Sequence, residues 1–214
     1  MSGIFGGALL ILIGYLLGAI PFGLLIGRLA RGVDLRRYGS GRTGATNALR
    51  TIGLRGAALV FILDLAKGIV AVLVARWLWG GDPALTEWLA AAAGFAAIVG
   101  HIWSVFIRFT GGRGVATSTG ALLAMVPWSL LVLAPLVIIV IWRSRYVSLG
   151  SITGALVAPI VVALLLVAGI GSAAAILYAL ASGLLVTAAH GDNIARLRAG
   201  TERKLGQKAV PTDA

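Results

Sequence analysis

The sequence predicts an all-α integral membrane protein of seven transmembrane helices, two of them short, with the N-terminus outside and the C-terminus in the cytoplasm. Of its 214 residues, 59% are hydrophobic and the mean hydropathy is +1.01. Soluble domains are only about 45–50% apolar. Apolar runs recur at the ~20-residue length that lets a helix cross a bilayer. Charge is gathered between those runs.

Taken in order, residues 4–27 form the first candidate span. Residues 1–27 carry no charge and lack the basic n-region of a cleaved leader. A short interfacial helix is expected within 31–50, where arginines alternate with Val33, Leu35 and Tyr38. Further spans are expected at 56–79, 88–107, 149–168 and 171–189. Residues 114–142 form a charge-free run of 29. At ~1.5 Å rise per residue this is too long for one upright helix and short for two full ones. No linker, repeat or low-complexity segment divides the chain, so residues 1–214 read as one domain with a frayed tail over 203–214.

Charge settles the number of crossings. The basic residues fall in four groups: Arg28, Arg31, Arg36, Arg37, Arg42, Arg50 and Arg55; Arg108 and Arg113; Arg143 and Arg145; and Arg196, Arg198, Arg203, Lys204 and Lys208. Only Lys67 and Arg76 lie elsewhere. Breaking 114–142 near Pro127 into two short helices puts all four groups on the cytoplasmic side, as positive-inside orientation requires. An unbroken helix would separate them.

A net charge of +11 confined to inter-span loops fits membrane orientation and argues against a nucleic-acid partner. There is no cysteine, which removes disulfides, thiol nucleophiles and Cys-ligated metals. With two histidines and seven carboxylates, no metal site is expected.

Three polar islands interrupt the apolar text. In Gly39-Ser40-Gly41-Arg42-Thr43-Gly44-Ala45-Thr46-Asn47, the glycines can turn backbone N–H groups toward one anion, with the Ser40 hydroxyl as a further donor. Arg50, three residues after Asn47, would point back at the same place. The alternative is a flexible loop with membrane-surface arginines. In Gly111-Gly112-Arg113-Gly114-Val115-Ala116-Thr117, a guanidinium precedes a helix starting near Val115, and the two together make an anion site. Simple positive-inside anchoring is the alternative, but it needs no neighbouring glycines. In the third island, His190, Asn193 and Arg196 fall at helical spacing on one stripe, and Glu202 could pair with a basic residue from another loop. A capped helix end is the alternative there.

Asp64 and Lys67, at i, i+3 within a span, read as a neutralising pair that fixes helix packing. His101 reads as a packing residue outside the site. Ser148 and Ser151 are additional donors or helix caps. The chain has no Gly-x-Ser-x-Gly elbow, Walker loop or His-Glu-x-x-His. Neither histidine has an acid five residues on, since Phe106 and Ala195 stand there. The His-x-x-x-x-Asp dyad of ordinary glycerolipid acyltransferases is therefore lacking.

Taken together, the islands resemble the motifs of the PlsY family, the acyl-phosphate:glycerol-3-phosphate acyltransferases of bacterial membranes. The family's Gly-Ser-Gly-Asn-x-Gly-Ala-Thr-Asn is similar to Gly39–Asn47, with Arg50 in the expected place. Its Gly-Gly-Lys-Gly-Val-Ala-Thr is similar to Gly111–Thr117, and its His-x-x-Asn-Ile-x-Arg-Leu-x-x-Gly-x-Glu to His190–Glu202. Leu63-Asp64-x-x-Lys67-Gly68 and Gly100-His101 also resemble the family. Arg42 replaces the usual Asn, and Arg113 replaces the usual Lys. Both keep or add positive charge, but a guanidinium is a planar fork and an ammonium a point donor.

The resemblance implies transfer of a fatty acyl group from acyl phosphate to the 1-hydroxyl of sn-glycerol 3-phosphate. The products are 1-acylglycerol 3-phosphate and inorganic phosphate. No cofactor is implied, the chain is expected to be a monomer, and its place is the bacterial inner membrane with the site facing the cytoplasm. Ser40, Arg50, Arg113, His190 and Asn193 are the expected catalytic residues. Gly39, Gly41, Thr46, Asn47, Gly111, Gly112, Gly114, Thr117, Ser148, Arg196 and Glu202 are the expected substrate-binding ones. A phosphate transporter and a CDP-alcohol phosphotransferase are the rival readings. The first usually binds at midplane between inverted repeats; the second needs an aspartate cluster, and Asp64 stands alone in its span.

Overall fold

The computed structural model describes residues 3–210, which fold into nine α-helices and three short 3-10 turns. α1 (Gly3–Ala19) and α2 (Phe22–Arg31) are followed by α3 (Ala45–Trp79), α4 (Pro83–Ile102), α5 (Val115–Met125), α6 (Leu130–Ser144), α7 (Val147–Val167), α8 (Ala173–Ala188) and α9 (Gly191–Arg198). Five apolar segments are long enough to cross a bilayer, the α1–α2 pair among them as Gly3–Arg31; α8 with α9, bent by 59°, makes a sixth.

The charge-free run breaks where the sequence places the break. α5 stops at Met125, a 3-10 turn covers Pro127–Ser129, and α6 begins at Leu130. Proline has no N–H to continue the ladder and disfavours helical geometry in the residue before it.

Other boundaries move. Within 31–50 the helical pieces are a 3-10 turn at Leu35–Arg37 and the start of α3 at Ala45, and Pro21 interrupts the first apolar segment between α1 and α2. At the break the Ile20 carbonyl accepts from the Phe22 N–H and from Lys67 Nζ of α3, both at 3.1 Å. The third span ends at Ile102, before a loop with a 3-10 turn at Val105–Ile107. α3 is kinked at Gly53 (φ 84°, ψ −176°), so Ala45–Ile52 forms a short arm carrying Asn47 and Arg50.

α4 is the central helix. Its Ala90, Ala93, Ala97 and Ile98 are fully buried, and its small side chains let α1 approach closely: a Cβ at Gly14 or Gly18 would strike the Ala93 or Ala97 carbonyl. Val72 of α3, Ala121 of α5, Val162 of α7 and Tyr178 of α8 complete the core. α6 buries only Leu133 and turns Leu131, Ile138, Ile139 and Trp142 outward.

α5 carries the second island, so its seating matters. A Cβ at Gly120 would collide with the Leu65 backbone carbonyl, and one at Gly68 with that of Thr117. Gly120→Ala should therefore destabilise the protein by about 1–3 kcal/mol, read as a lower unfolding temperature in detergent.

Candidate functional site

The first island is built around Asn47. Its Nδ2 contacts the carbonyls of Leu35, Tyr38 and Arg42 at 2.8–3.0 Å, and its Oδ1 accepts the Ser40 N–H at 3.1 Å. Asn47 thus spends its hydrogen bonds on shaping the loop. Gly39 has φ 59°, and a Cβ there would collide with Asn47 Oδ1. A side chain is refused on both counts.

The second island locks onto the first, with the Thr43 N–H donating to the Gly111 carbonyl at 3.4 Å. The Gly112 N–H donates to the His101 carbonyl at 3.1 Å, and Gly112 lies so close to the His101 ring that a Cβ would meet Nε2. Gly114 caps α5, so Arg113 stands just ahead of a helix N-terminus. Its Nη2 donates to Asp192 Oδ2 at 2.7 Å, and its Nε is buried without a partner. Burial draws the guanidinium below its ordinary value, and the Asp192 carboxylate opposes that shift.

In the third island, Glu202 gathers three donors: Asn193 Nδ2 at 2.7 Å and Ser148 Oγ at 2.9 Å on Oε1, and Arg196 Nε at 2.8 Å on Oε2. Burial disfavours its charge, but those bonds prevail and hold its carboxyl below the usual range. His190 Nδ1 lies 2.7 Å from the Val186 carbonyl. A carbonyl only accepts, so Nδ1 carries the proton and Nε2 keeps a lone pair. Burial pushes the imidazole pKa down, against the Val186 contact, so the ring is neutral at pH 7.

One cavity of about 260 Å³ collects these segments. Ser40, Thr46, Asn47, Arg50, Arg113, Gly114, Ser148, His190, Asn193 and Glu202 line it. Six expected residues stand behind its wall. Gly39 and Gly41 shape the first loop, Gly111 and Gly112 back onto His101, and Thr117 is buried under α3. Arg196 holds Glu202 and Asp192. Glu202's basic partner therefore comes from α9, six residues earlier, rather than from another loop.

The cavity also contains Arg42 of the first island, Ser151, expected only as an additional donor or cap, and Asp64 and His101, which the sequence places outside the site. Asp64 pairs with Lys67 at 2.8 Å and has His101 Nδ1 3.5 Å away. The pair does fix packing, through Lys67 and Ile20, yet its acid also reaches the cavity floor. Spacing within α3 gives no sign of this, because α4 supplies His101.

The tail also departs from expectation. Arg50 Nη2 donates to the Arg203 carbonyl at 3.1 Å, the Ala209 N–H to Arg50 at 3.2 Å, the Gly39 N–H to Val210 at 3.0 Å, and the Leu205 N–H to Arg145 at 2.7 Å. Residues 203–210 thus form a strap beside the site; 211–214 lie outside the described residues. Among the described residues, no group of three His, Cys, Asp or Glu is assembled as for a metal.

A second cavity, apolar and of about 300 Å³, is lined by Leu122, Leu130, Leu133, Ala158 and Val186 among others. It shares Phe61, Val115, Val137 and Ser151 with the first. A pocket rich in cations therefore adjoins a hydrocarbon-like slot.

A family model described as "Glycerol-3-phosphate acyltransferase" matches residues 8–200. The "Glycerol-3-phosphate acyltransferase 3" of Dehalococcoides mccartyi is 44% identical over 210 residues, covering 94% of this chain and 96% of the relative. The glycerol-3-phosphate acyltransferase of Parasynechococcus marenigrum is 46% identical over 202 residues, covering 94% and 91%. Among solved structures, two crystal structures of PlsY, an integral membrane glycerol 3-phosphate acyltransferase, are 38% identical to this chain. The glycerol 3-phosphate form has a TM-score of 0.83 and covers 94% of this chain and 96% of its own; the lysophosphatidic acid form has 0.81, 94% and 95%.

Proposed function

The chain belongs to the glycerol-3-phosphate acyltransferase family, and we propose on that premise that it acylates the 1-hydroxyl of glycerol 3-phosphate, with acyl phosphate as donor. The observation that carries this reading is the junction of the two cavities: arginines gathered at the head of an apolar slot suit an amphiphile with a phosphate head. The active side faces the cytoplasm of a bacterial inner membrane, across which the one-domain chain passes seven times as a monomer.

The chemistry needs little from the protein. An acyl phosphate is a mixed anhydride with a good leaving group, so no covalent enzyme intermediate is required. The substrate hydroxyl oxygen attacks the acyl carbonyl carbon, the bond from that carbon to the phosphate oxygen breaks, and inorganic phosphate departs. Ser40, Arg50 and Arg113 hold the donor phosphate and stabilise the charge it gains. Asn193 and His190 hold glycerol 3-phosphate, with Glu202 fixing Asn193. Neutral His190 can take the hydroxyl proton on Nε2. Holding two mutually repelling anions in register is the main task, and proximity of this kind supplies roughly 7–11 kcal/mol of a barrier.

Purified protein given labelled glycerol 3-phosphate should form lysophosphatidate from palmitoyl phosphate without added metal. Product from palmitoyl-CoA and none from palmitoyl phosphate would overturn the donor.

A further inference from the structure

Arg113 has a partner that the reaction as described does not use. Asp192, in the first turn of α9, accepts from Arg113 Nη2 at 2.7 Å and from Arg196 Nη1 and Nη2 at 3.2 and 3.1 Å. It is absent from the residues lining the cavity. We propose that Asp192 is an exchangeable counter-ion: its carboxylate holds Arg113 between turnovers, yields to the phosphate of an incoming substrate, and returns to help expel the phosphate left after acyl transfer. This rests on the reading of Arg113 as a phosphate ligand.

The two carboxylates of this region are held differently. Glu202 is 8% exposed and fixed by three donors, so it is part of the wall. The Asp192 side chain is 40% exposed, against 15% for Arg113. It can rotate toward water with Arg196 still bound to it, provided the incoming phosphate takes its place on Arg113.

Arg113 cannot move in the same way. The Gly112–His101 bond and the start of α5 fix its backbone, and its guanidinium forms part of the cavity wall. Asp192 takes only one face of its donor fork, leaving Nε buried and unpartnered. A phosphate can accept from two such donors at once and carries more charge than a carboxylate. With Arg42 and Arg50 in the same wall, it meets a positive field that Asp192 only partly cancels. The dianion therefore displaces the monoanion. Once substrate is consumed, the tethered carboxylate, always at high local concentration, competes with free phosphate for the same guanidinium.

A purely positioning role predicts the opposite response to mutation. If Asp192 only aims Arg113, its loss weakens phosphate binding; if it competes, its loss tightens binding. Calorimetric titration with inorganic phosphate separates the two without needing turnover. Asp192→Asn should bind phosphate about two- to fivefold more tightly than the wild type, the worth of one partly exposed ion pair. Phosphate should likewise become a stronger inhibitor of turnover. Asp192→Glu should restore wild-type affinity, and Arg113→Ala should abolish binding. Unchanged or weaker binding in Asp192→Asn, with Arg113 still required, overturns the exchange alone. Undiminished binding in Arg113→Ala overturns the reading of Arg113 and the exchange with it.

Discussion

Replacing Arg113 by alanine should lower kcat/KM by about 10²- to 10³-fold or more, as loss of a preorganised donor at a charge-gaining oxygen does. Lysine at the same place should retain measurable turnover. Alanine removes the charge and the fork together, whereas lysine keeps a cation ahead of the α5 N-terminus and loses only the second donor. The fold should survive both changes, because Arg113 lines the cavity and its one ion-pair partner among the described residues is Asp192. Steady-state kinetics with palmitoyl phosphate, alongside unfolding temperatures, checks this. Full activity in the alanine variant would remove Arg113 from the phosphate site.

Glu202→Gln should have the next largest effect and act on two quantities. The neutral amide keeps the shape but loses charge-assisted bonds to Asn193, Ser148 and Arg196, costing about 1.5–3 kcal/mol of stability. It should also raise KM for glycerol 3-phosphate more than KM for the donor, because Asn193 loses its anchor. The pH dependence has a definite sign. Glu202 is held below its unfolded value of about 4.3, so its contribution is complete above that pH. It is lost as pH falls through the depressed folded value. The wild type should lose this increment on acidification, and the glutamine variant should lack it at every pH.

Much of the site was legible in the sequence, because close backbone approach and anion binding demand particular residues. Gly39, Ser40 and Gly41 could be read as a phosphate-facing turn, and Arg113 before Val115 as a cation at a helix start. Pro127 marked the break in the long apolar run. What escaped depended on which helices meet. Asp64 reads as half of a packing pair, and its place beside His101 at the cavity depends on how α3 meets α4. Arg42 looked like a departure from the resembled motif, yet the loop carries it into the same wall.

The tail shows the same limit. Residues 203–210 are polar and glycine-containing, so nothing local marks them as ordered. They are held by backbone bonds to Gly39, Arg50 and Arg145, which belong to other segments. Pro21 was present to be read, but the apolar run continues across it. The break between α1 and α2 is therefore not marked by any change in composition.

The most direct test of two anions held side by side is an experimental structure with a non-hydrolysable acyl phosphonate and glycerol 3-phosphate. The phosphonate should lie within about 3.2 Å of Arg113 and Ser40. Its chain should pass Phe61 into the apolar slot, and the second phosphate should lie on the His190–Asn193 side. A phosphonate seated away from Arg113, or a chain lying outside the slot, would contradict the account.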